Sequence, residues 1–437
     1  MRLCLVEDNA VAGLEPLTLT RPVFELLLGA SPIGVKIARA LGVGPGPQRR
    51  AMVVRPYLAP VCRAADPHAV VNDADWLARA PTYVANGRWV PPAHFTPPDD
   101  SEPWLGTCEG RPACALVGPE AAVALHPGAV DAWFEAQMSR LRPVELGGTW
   151  IDRPWDLVTH NAAQIERDFE ADARPGVSNR HLATAAVVGS ARLLAVHESA
   201  RVDPYTVFDT TNGPITVEAG AWVQPFTRIE GPCFVGRDTH LFRANLRGGV
   251  SLGPTCRIGG EVEASIVHGH TNKYHEGFLG HAYVGEWVNL GALTSNSDLR
   301  NDYGEVRVPL GGDPVATGLA KVGCFIGDHT RTGLCSQLNT GTAIGVMCNI
   351  LPAGLLLPKH VPSFAAVCYG QVELKFGLEE LFATARVVMG RRGREFDAEQ
   401  EQLYSELFER TRLERQRALH KTHERRVDRW PVHSARL

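Results

Sequence analysis

The chain has 437 residues, of which 44% are hydrophobic and 21% charged, with a formal net charge of −4. That length supports two or three domains, each with its own core, and the weak acidic balance leaves no basic footprint for nucleic acid. No apolar run reaches the length of a membrane span, and the short apolar run in MRLCLVEDNA cannot form the core of a signal peptide, so the expected compartment is the cytoplasm.

In chain order, RLCLVE (2–7), AMVVRP (51–56), AVVND (69–73) and TYVANG (82–87) are short apolar runs that end in polar residues. Apolar-periodic stretches such as 24–41 separate them. Alternating strands and helices predict an α/β, Rossmann-like domain over about 1–175, with a mainly parallel sheet and ligands at the carboxyl ends of its strands. Residues 97–118, rich in Pro and Gly, read as loops with a hairpin, and Asn86-Gly87-Arg88 reads as a hairpin turn.

From about 183 to about 362 every sixth residue is aliphatic or small: Val217, Val223, Ile229, Val235 and Leu241, then Phe278, Val284 and Leu290, then Ile326, Thr332, Leu338, Ile344 and Ile350. A period of six fits neither an amphipathic helix nor a simple alternating strand. It fits a solenoid in which each short strand points one residue inward and then turns, three hexapeptides making one triangular coil. Breaks at 208–214 and 299–321 mark loops that leave the coil. The expected domains are 1–175, 176–365 and a tail, 366–437, in which 395–430 is a long helix with a solvated charged face. The ten cysteines form no CxxC pair and read as reduced apolar residues.

Within the repeat, YHEGFLGHAYVGEWVNLGALTSN (274–296) carries polar groups the coil does not require. Together with PLTLTRPVFELLLG (16–29), RPWDLVTHN (153–161), NGPITVEAGAWV (212–223), LRNDYGEVRV (299–308) and LNTGTAIGVMCNI (338–350), it resembles the bifunctional UDP-N-acetylglucosamine pyrophosphorylase / glucosamine-1-phosphate N-acetyltransferase family, in a divergent bacterial sugar-nucleotidyltransferase branch. The resemblance implies an α/β nucleotidyltransferase-like domain followed by a left-handed parallel β-helix acyltransferase domain and a helical tail. It also implies a homotrimer with active sites between adjacent solenoids, and as ligands a sugar phosphate, a nucleoside triphosphate and acetyl-CoA, with Mg²⁺ if the N-terminal domain is active.

By that resemblance His275 is the general base on a sugar amine, because a protonated amine has no lone pair and a near-neutral base must take its proton during attack on the thioester. Glu276 is expected to orient it or touch substrate. Asn296 and Asn301 are candidates for sugar hydroxyls or the developing oxyanion, and their register stays open because GALTSNSDLRNDYG (291–304) departs from the family's pattern. Lys273, Arg300 and Arg331 are expected partners of a phosphate. Ala292, Gly327, Asp328, Gly345 and Val346 match the turns that hold acetyl-CoA through backbone groups. Asn289 reads as structural, and His268, His270 and His281 as neighbours of the site.

In the N-terminal domain the loop EDNAVAGLEPLTLTRPVFEL has one glycine, with Arg21-Pro22 where the family has Pro-Lys. Arg21 is the expected phosphate contact, and Asp8 and Asp73 or Asp75 the expected nucleotide and Mg²⁺ ligands. Asp8 equally suits capping the next turn. Two rival readings stand beside the bifunctional one: a nucleotidyltransferase for another sugar phosphate with the solenoid as a trimerisation stalk, and a non-catalytic scaffold that binds sugar nucleotides.

Overall fold

The computed structural model describes residues 1–428 except 47, 173–175, 177–182, 184 and 353, and for 421–428 the helical backbone only. The expected junction at 175–176 and the end of the tail, 429–437, fall largely outside these residues.

The N-terminal sheet holds seven strands: β1 (Leu3–Val6), β2 (Arg50–Val53), β3 (Val70–Val71), β4 (Thr82–Asn86), β5 (Trp104–Cys108), β6 (Arg111–Val117) and β7 (Pro143–Glu145). Their order is β7-β5-β6-β4-β1-β2-β3. β1 is buried along its whole length and pairs in parallel with β2 and β4, as its unbroken apolar run LCLV demands of a central strand covered on both faces. β6 alone runs antiparallel to its neighbours β4 and β5, and the β5–β6 hairpin turns through Glu109 and Gly110 at φ 53° and 74°.

Helix α1 (Pro154–Ala171) joins this sheet to the rest of the chain. Pro154 opens it, and the Asp156 carboxylate accepts the free Asp152 and Arg153 N–H groups at 2.9 and 2.8 Å. Buried Asn161 then clamps three segments. Its Oδ1 accepts Gly29 N–H at 2.8 Å and the Ser251 hydroxyl at 3.0 Å, while Nδ2 donates to Gly249 O at 2.9 Å.

The solenoid has three parallel faces. Along one face, Ile215–Val217, Cys233–Val235, Val250–Leu252, Ile266–Gly269, Tyr283–Glu286, Cys324–Ile326, Thr342–Ile344 and His360–Val361 stack in turn. The other two faces share the longer strands His240–Arg247 and Arg257–Glu263, which bend from one face to the next. Val217, Val223, Ile229, Val235 and Leu241 all point into the prism and are fully or almost fully buried. Each such side chain contributes about 1.5–3 kcal/mol relative to exposure. The segment 299–321 leaves the coil as the antiparallel hairpin Arg307–Leu310 with Asp313–Ala316. The parallel stack runs past residue 365, because Ala366–Cys368 pairs in register with Asn349–Leu351, and Gln371–Glu373 then folds back on it.

The period slips at three positions. Leu279 is the inward residue, and Phe278 beside it is half-buried. Lys273 and Asn296, both expected to meet substrate, point inward instead. The Lys273 ammonium is buried and donates to Gly259 O at 2.6 Å and His275 O at 3.1 Å. Asn296 accepts Gly280 N–H and donates to Gly280 O, both at 2.9 Å, so its amide closes a coil the way a backbone pair would. Burial pushes the Lys273 amine from 10.5 down to about 8. The unfolded chain therefore holds the proton more tightly, and stability rises as pH climbs from about 8 to 10.5. Lys273→Met is expected to gain stability relative to wild type at pH 7, and urea midpoints should show that gap shrinking by pH 10.

The tail is three helices, where a single long one was expected over 395–430: α2 (Leu378–Gly390), α3 (Ala398–Arg410) and α4 (Arg412–Asp428). Thr411 caps α3 with ψ 7°, outside helical geometry, and so separates α3 from α4. Leu381, Phe382, Leu403, Tyr404 and Leu407 join Ile266, Tyr283, Trp287, Val346 and Phe364 of the solenoid and the N-terminal Leu3, Leu14 and Phe24 in one buried cluster. All three segments thus share a core.

One solenoid edge carries a ladder of stacked rings under this tail: His270 on Trp287 at 4.3 Å and Trp287 on His329 at 6.2 Å between ring centres. His329 packs edge-on to Phe396 and Tyr404, and its buried Nδ1 has no hydrogen-bond partner among the described residues. Burial, with the charges of Arg331 and Arg21, lowers its pKa from 6.5 to about 3. An unfolded chain takes up this proton below 6.5 and the folded one does not, so stability falls as pH drops from 6.5 toward 3. His329→Phe should flatten that slope in thermal melts taken across the window.

Candidate functional site

The carboxyl ends of β1, β2 and β4 are occupied by the protein's own charges. Asp8 accepts Arg88 Nε at 2.8 Å and Nη2 at 2.6 Å, Asn86 Nδ2 at 2.8 Å and Ala10 N–H at 3.2 Å. Arg88 also pairs with Asp152, which Arg111 holds at 2.9 Å. The Asn86–Arg88 turn therefore supplies Asp8 with its counter-ion. Glu7 is bridged in the same way by Arg55 at 3.0 Å and caps Val23 N–H at 2.9 Å.

Arg21 does not face a ligand. Its Nη2 lies 2.5 Å from Asp328 and 3.1 Å from Glu286, both on the solenoid, and Thr20 donates to Asp328 at 2.7 Å. Burial works to lower the guanidinium's pKa, and the charges of Asp328 and Glu286 outweigh it, holding it above its usual value. The expected phosphate ligand of one domain and an expected coenzyme contact of the other are thus each other's partner.

Asp73 sits at the end of β3 and caps Trp76 N–H at 2.9 Å. With Arg63, His68 and Asn72 it lines a polar cavity of about 570 Å³. Strand β2 separates it from Asp8, whose lone pairs are already taken, and no cluster of three His, Cys, Asp or Glu suited to a metal occurs among the described residues. The two carboxylates do not fit a shared Mg²⁺ site.

On the solenoid, His275, Glu276 and Ala292 meet in an open cavity of about 380 Å³, with Gln224, Phe242 and Arg243 on its other walls. The coils turn at this edge through Arg243 and Leu293 at φ 48° and 63°, and Tyr274, His275 and Glu276 at the same edge are exposed. Tyr274 packs on Phe242 at 4.1 Å and edge-on to His275 at 4.9 Å, so the imidazole stands against an aromatic wall. Arg243, absent from the sequence-level expectations, brings a cation to this site. Its signal was the aromatic and basic turn LFRAN (241–245), two coils below.

Asn296, Asn301, Arg300 and Arg331 do not line this cavity. Arg300 and Asn301 lie on the 299–304 loop, where Arg300 pairs with Asp302 at 2.5 Å. Arg331 sits on a strand face between Asn289 and Asn349, and its Nη2 is buried without a partner. Gly327, Asp328, Gly345 and Val346 stack at a different edge from Ala292, and they are buried beneath Thr20–Arg21 and the tail helices.

A family profile described as sugar nucleotidyl transferase matches residues 3–174. A bifunctional sugar-1-phosphate nucleotidylyltransferase/acetyltransferase from Sulfurisphaera tokodaii is 26% identical over 225 residues, which are 51% of this chain and 49% of that protein. The bifunctional protein GlmU of Synechococcus elongatus is 36% identical over 126 residues, 28% of this chain and 24% of its own. A solved UDP-N-acetylglucosamine acyltransferase from Campylobacter jejuni aligns with 52% of this chain and 94% of its own, at 12% identity and a TM-score of 0.21. The chain spans about half the length, or less, of the curated relatives it matches. Residues 3–174 are thus similar to sugar nucleotidyl transferases, in a chain that is similar over about half its length to a bifunctional sugar-1-phosphate nucleotidylyltransferase/acetyltransferase.

Proposed function

We propose that this protein transfers an acetyl group from acetyl-CoA to the amine of a hexosamine 1-phosphate, and that its N-terminal domain couples the sugar phosphate to a nucleoside triphosphate. The observation that carries the acyl-transfer half is the meeting of His275, Glu276 and Ala292 in one exposed cavity at a solenoid edge. There the His275 imidazole takes the proton as the sugar nitrogen attacks the thioester carbonyl, and it returns that proton to the departing thiolate. Arg243 supplies a cation for the sugar phosphate. The side chains at 274–276 face outward from the coil, so in this reading the working assembly is a trimer of left-handed β-helices in the cytoplasm, with a neighbouring solenoid completing the site. Arg300 and Asn301, on the 299–304 loop, would come to the site from that neighbour.

The nucleotidyl-transfer half rests on the family match over 3–174 and on the polar cavity beside Asp73, Arg63 and His68. A second reading, an N-terminal domain that only positions the solenoid, is favoured by the internal pairing of Asp8 and Arg21. Mass spectrometry decides between them. Incubation with acetyl-CoA and glucosamine 1-phosphate should yield the N-acetylated sugar phosphate. Addition of nucleoside triphosphates and Mg²⁺ should then yield a nucleotide sugar with pyrophosphate. The first product without the second supports the positioning role, and neither product removes the proposal.

A further inference from the structure

At the opposite end of the strand Phe278–Gly280 from His275 lies a second imidazole with different surroundings. His281 Nδ1 is 2.7 Å from Asp298 Oδ2, and the ring is about four-fifths buried, with 20% of the side chain exposed. Burial works to raise the Asp298 pKa, and the hydrogen bond from His281, its charge and that of Lys321 outweigh it, holding the carboxylate below its usual range. An ionised carboxylate only accepts, so Nδ1–H donates to it, and in the neutral ring that tautomer puts the lone pair on Nε2. This is the arrangement of an oriented general base.

The dyad opens on a cavity of about 460 Å³ between α1 and the solenoid edge. Trp155, Val158 and Ala162 of α1 form one wall, Leu319 and Val322 the other, and Gly248 and Gly249 leave the floor free of side chains. Gly249 takes φ 82°, and Ala264 and His281, stacked along the same edge, take 42° and 48°, backbone that holds the ring in place at some conformational cost. Val322 N–H donates to Asp298 O at 2.8 Å, which ties the dyad to the far wall. Lys321 brings an ammonium to the cavity, 3.7 Å from Glu263.

We propose that this cavity is a second catalytic site, complete within one protomer, in which His281 activates water against a small ester or thioester with a compact apolar acyl group. The acyl group sits against Trp155 and Leu319. Water attacks the carbonyl carbon while Nε2 takes its proton, and Lys321 is the cation available to the developing oxyanion. Collapse of the tetrahedral adduct breaks the bond to the alkoxide or thiolate, which recovers the proton from the imidazolium. The products are the free carboxylic acid and an alcohol or thiol. His281 is the catalytic residue and Asp298 a positioning residue. The site depends neither on the acetyltransferase reading nor on His275.

p-Nitrophenyl acetate is the probe. Wild type should hydrolyse it with saturation, and His281→Ala should lose about 100-fold in kcat, the lower end of what a general base contributes. Asp298→Asn should lower kcat with KM unchanged, and Asp298→Glu should recover part of that loss. Ala162→Leu fills the cavity from α1 without touching the dyad and should raise KM alone. Thermal melts of each variant exclude loss of fold as the cause. Unsaturable hydrolysis by wild type, or equal rates from wild type and a folded His281→Ala or Asp298→Asn, would overturn the proposal.

Discussion

Arg21→Ala is expected to destabilise the protein by about 3–5 kcal/mol, the cost of leaving a buried charge without its counter-ion. The guanidinium is 8% exposed and Asp328 opposite it 6%, so neither charge recovers water when the other is removed. Glu286, at 28%, is partly hydrated and loses less. Because the pair spans the N-terminal domain and the solenoid, the effect should appear as an early loss of interdomain contact on urea titration, read by tryptophan fluorescence from Trp155, which packs near Phe325. Adding Asp328→Asn to Arg21→Ala should return part of the loss, since it removes the stranded charge. If Arg21→Ala and wild type shared one midpoint, the pair would be a hydrated contact and the two domains would be held by apolar packing alone.

The repeat made the solenoid legible in advance because a buried prism tolerates only one kind of inward residue, and a period of six is what that constraint leaves in the chain. The same period is silent about which of three edges a turn occupies. Ala292 and Gly327 both follow an aliphatic rung, yet the loop 299–321 resets the phase between them, and they lie on different edges. Lys273 is an expected ligand because a phosphate needs a cationic donor, and Asn296 because an amide suits sugar hydroxyls or an oxyanion. Each faces the core instead because carbonyl or amide groups of a neighbouring coil satisfy it inside the prism, information carried by distant Gly259 and Gly280 and invisible at the residue itself. Asp8 and Arg21 failed for a related reason. Strand-end carboxylates and loop arginines suit phosphate chemistry, but they suit ion pairs equally, and Arg88, Asp328 and Glu286 become their partners only once the chain folds. His275 and Glu276 are exposed because their turn carries no inward position.

His275→Ala is expected to reduce acetyl transfer by about 10²–10⁴-fold, the range a positioned general base contributes, with little change in stability because the side chain is exposed and carries no hydrogen bond in the fold. The loss should fall on kcat, since the imidazole acts on the proton of the attacking amine and not on the affinity for coenzyme. His281→Ala, on the other edge, should leave this rate unchanged. The direct measurement is thiol release from acetyl-CoA in the presence of glucosamine 1-phosphate, wild type beside His275→Ala at saturating substrates. Release by wild type that drops at least a hundredfold in the variant is the predicted result, and equal release from the two proteins would contradict an acyl-transfer site at that solenoid edge.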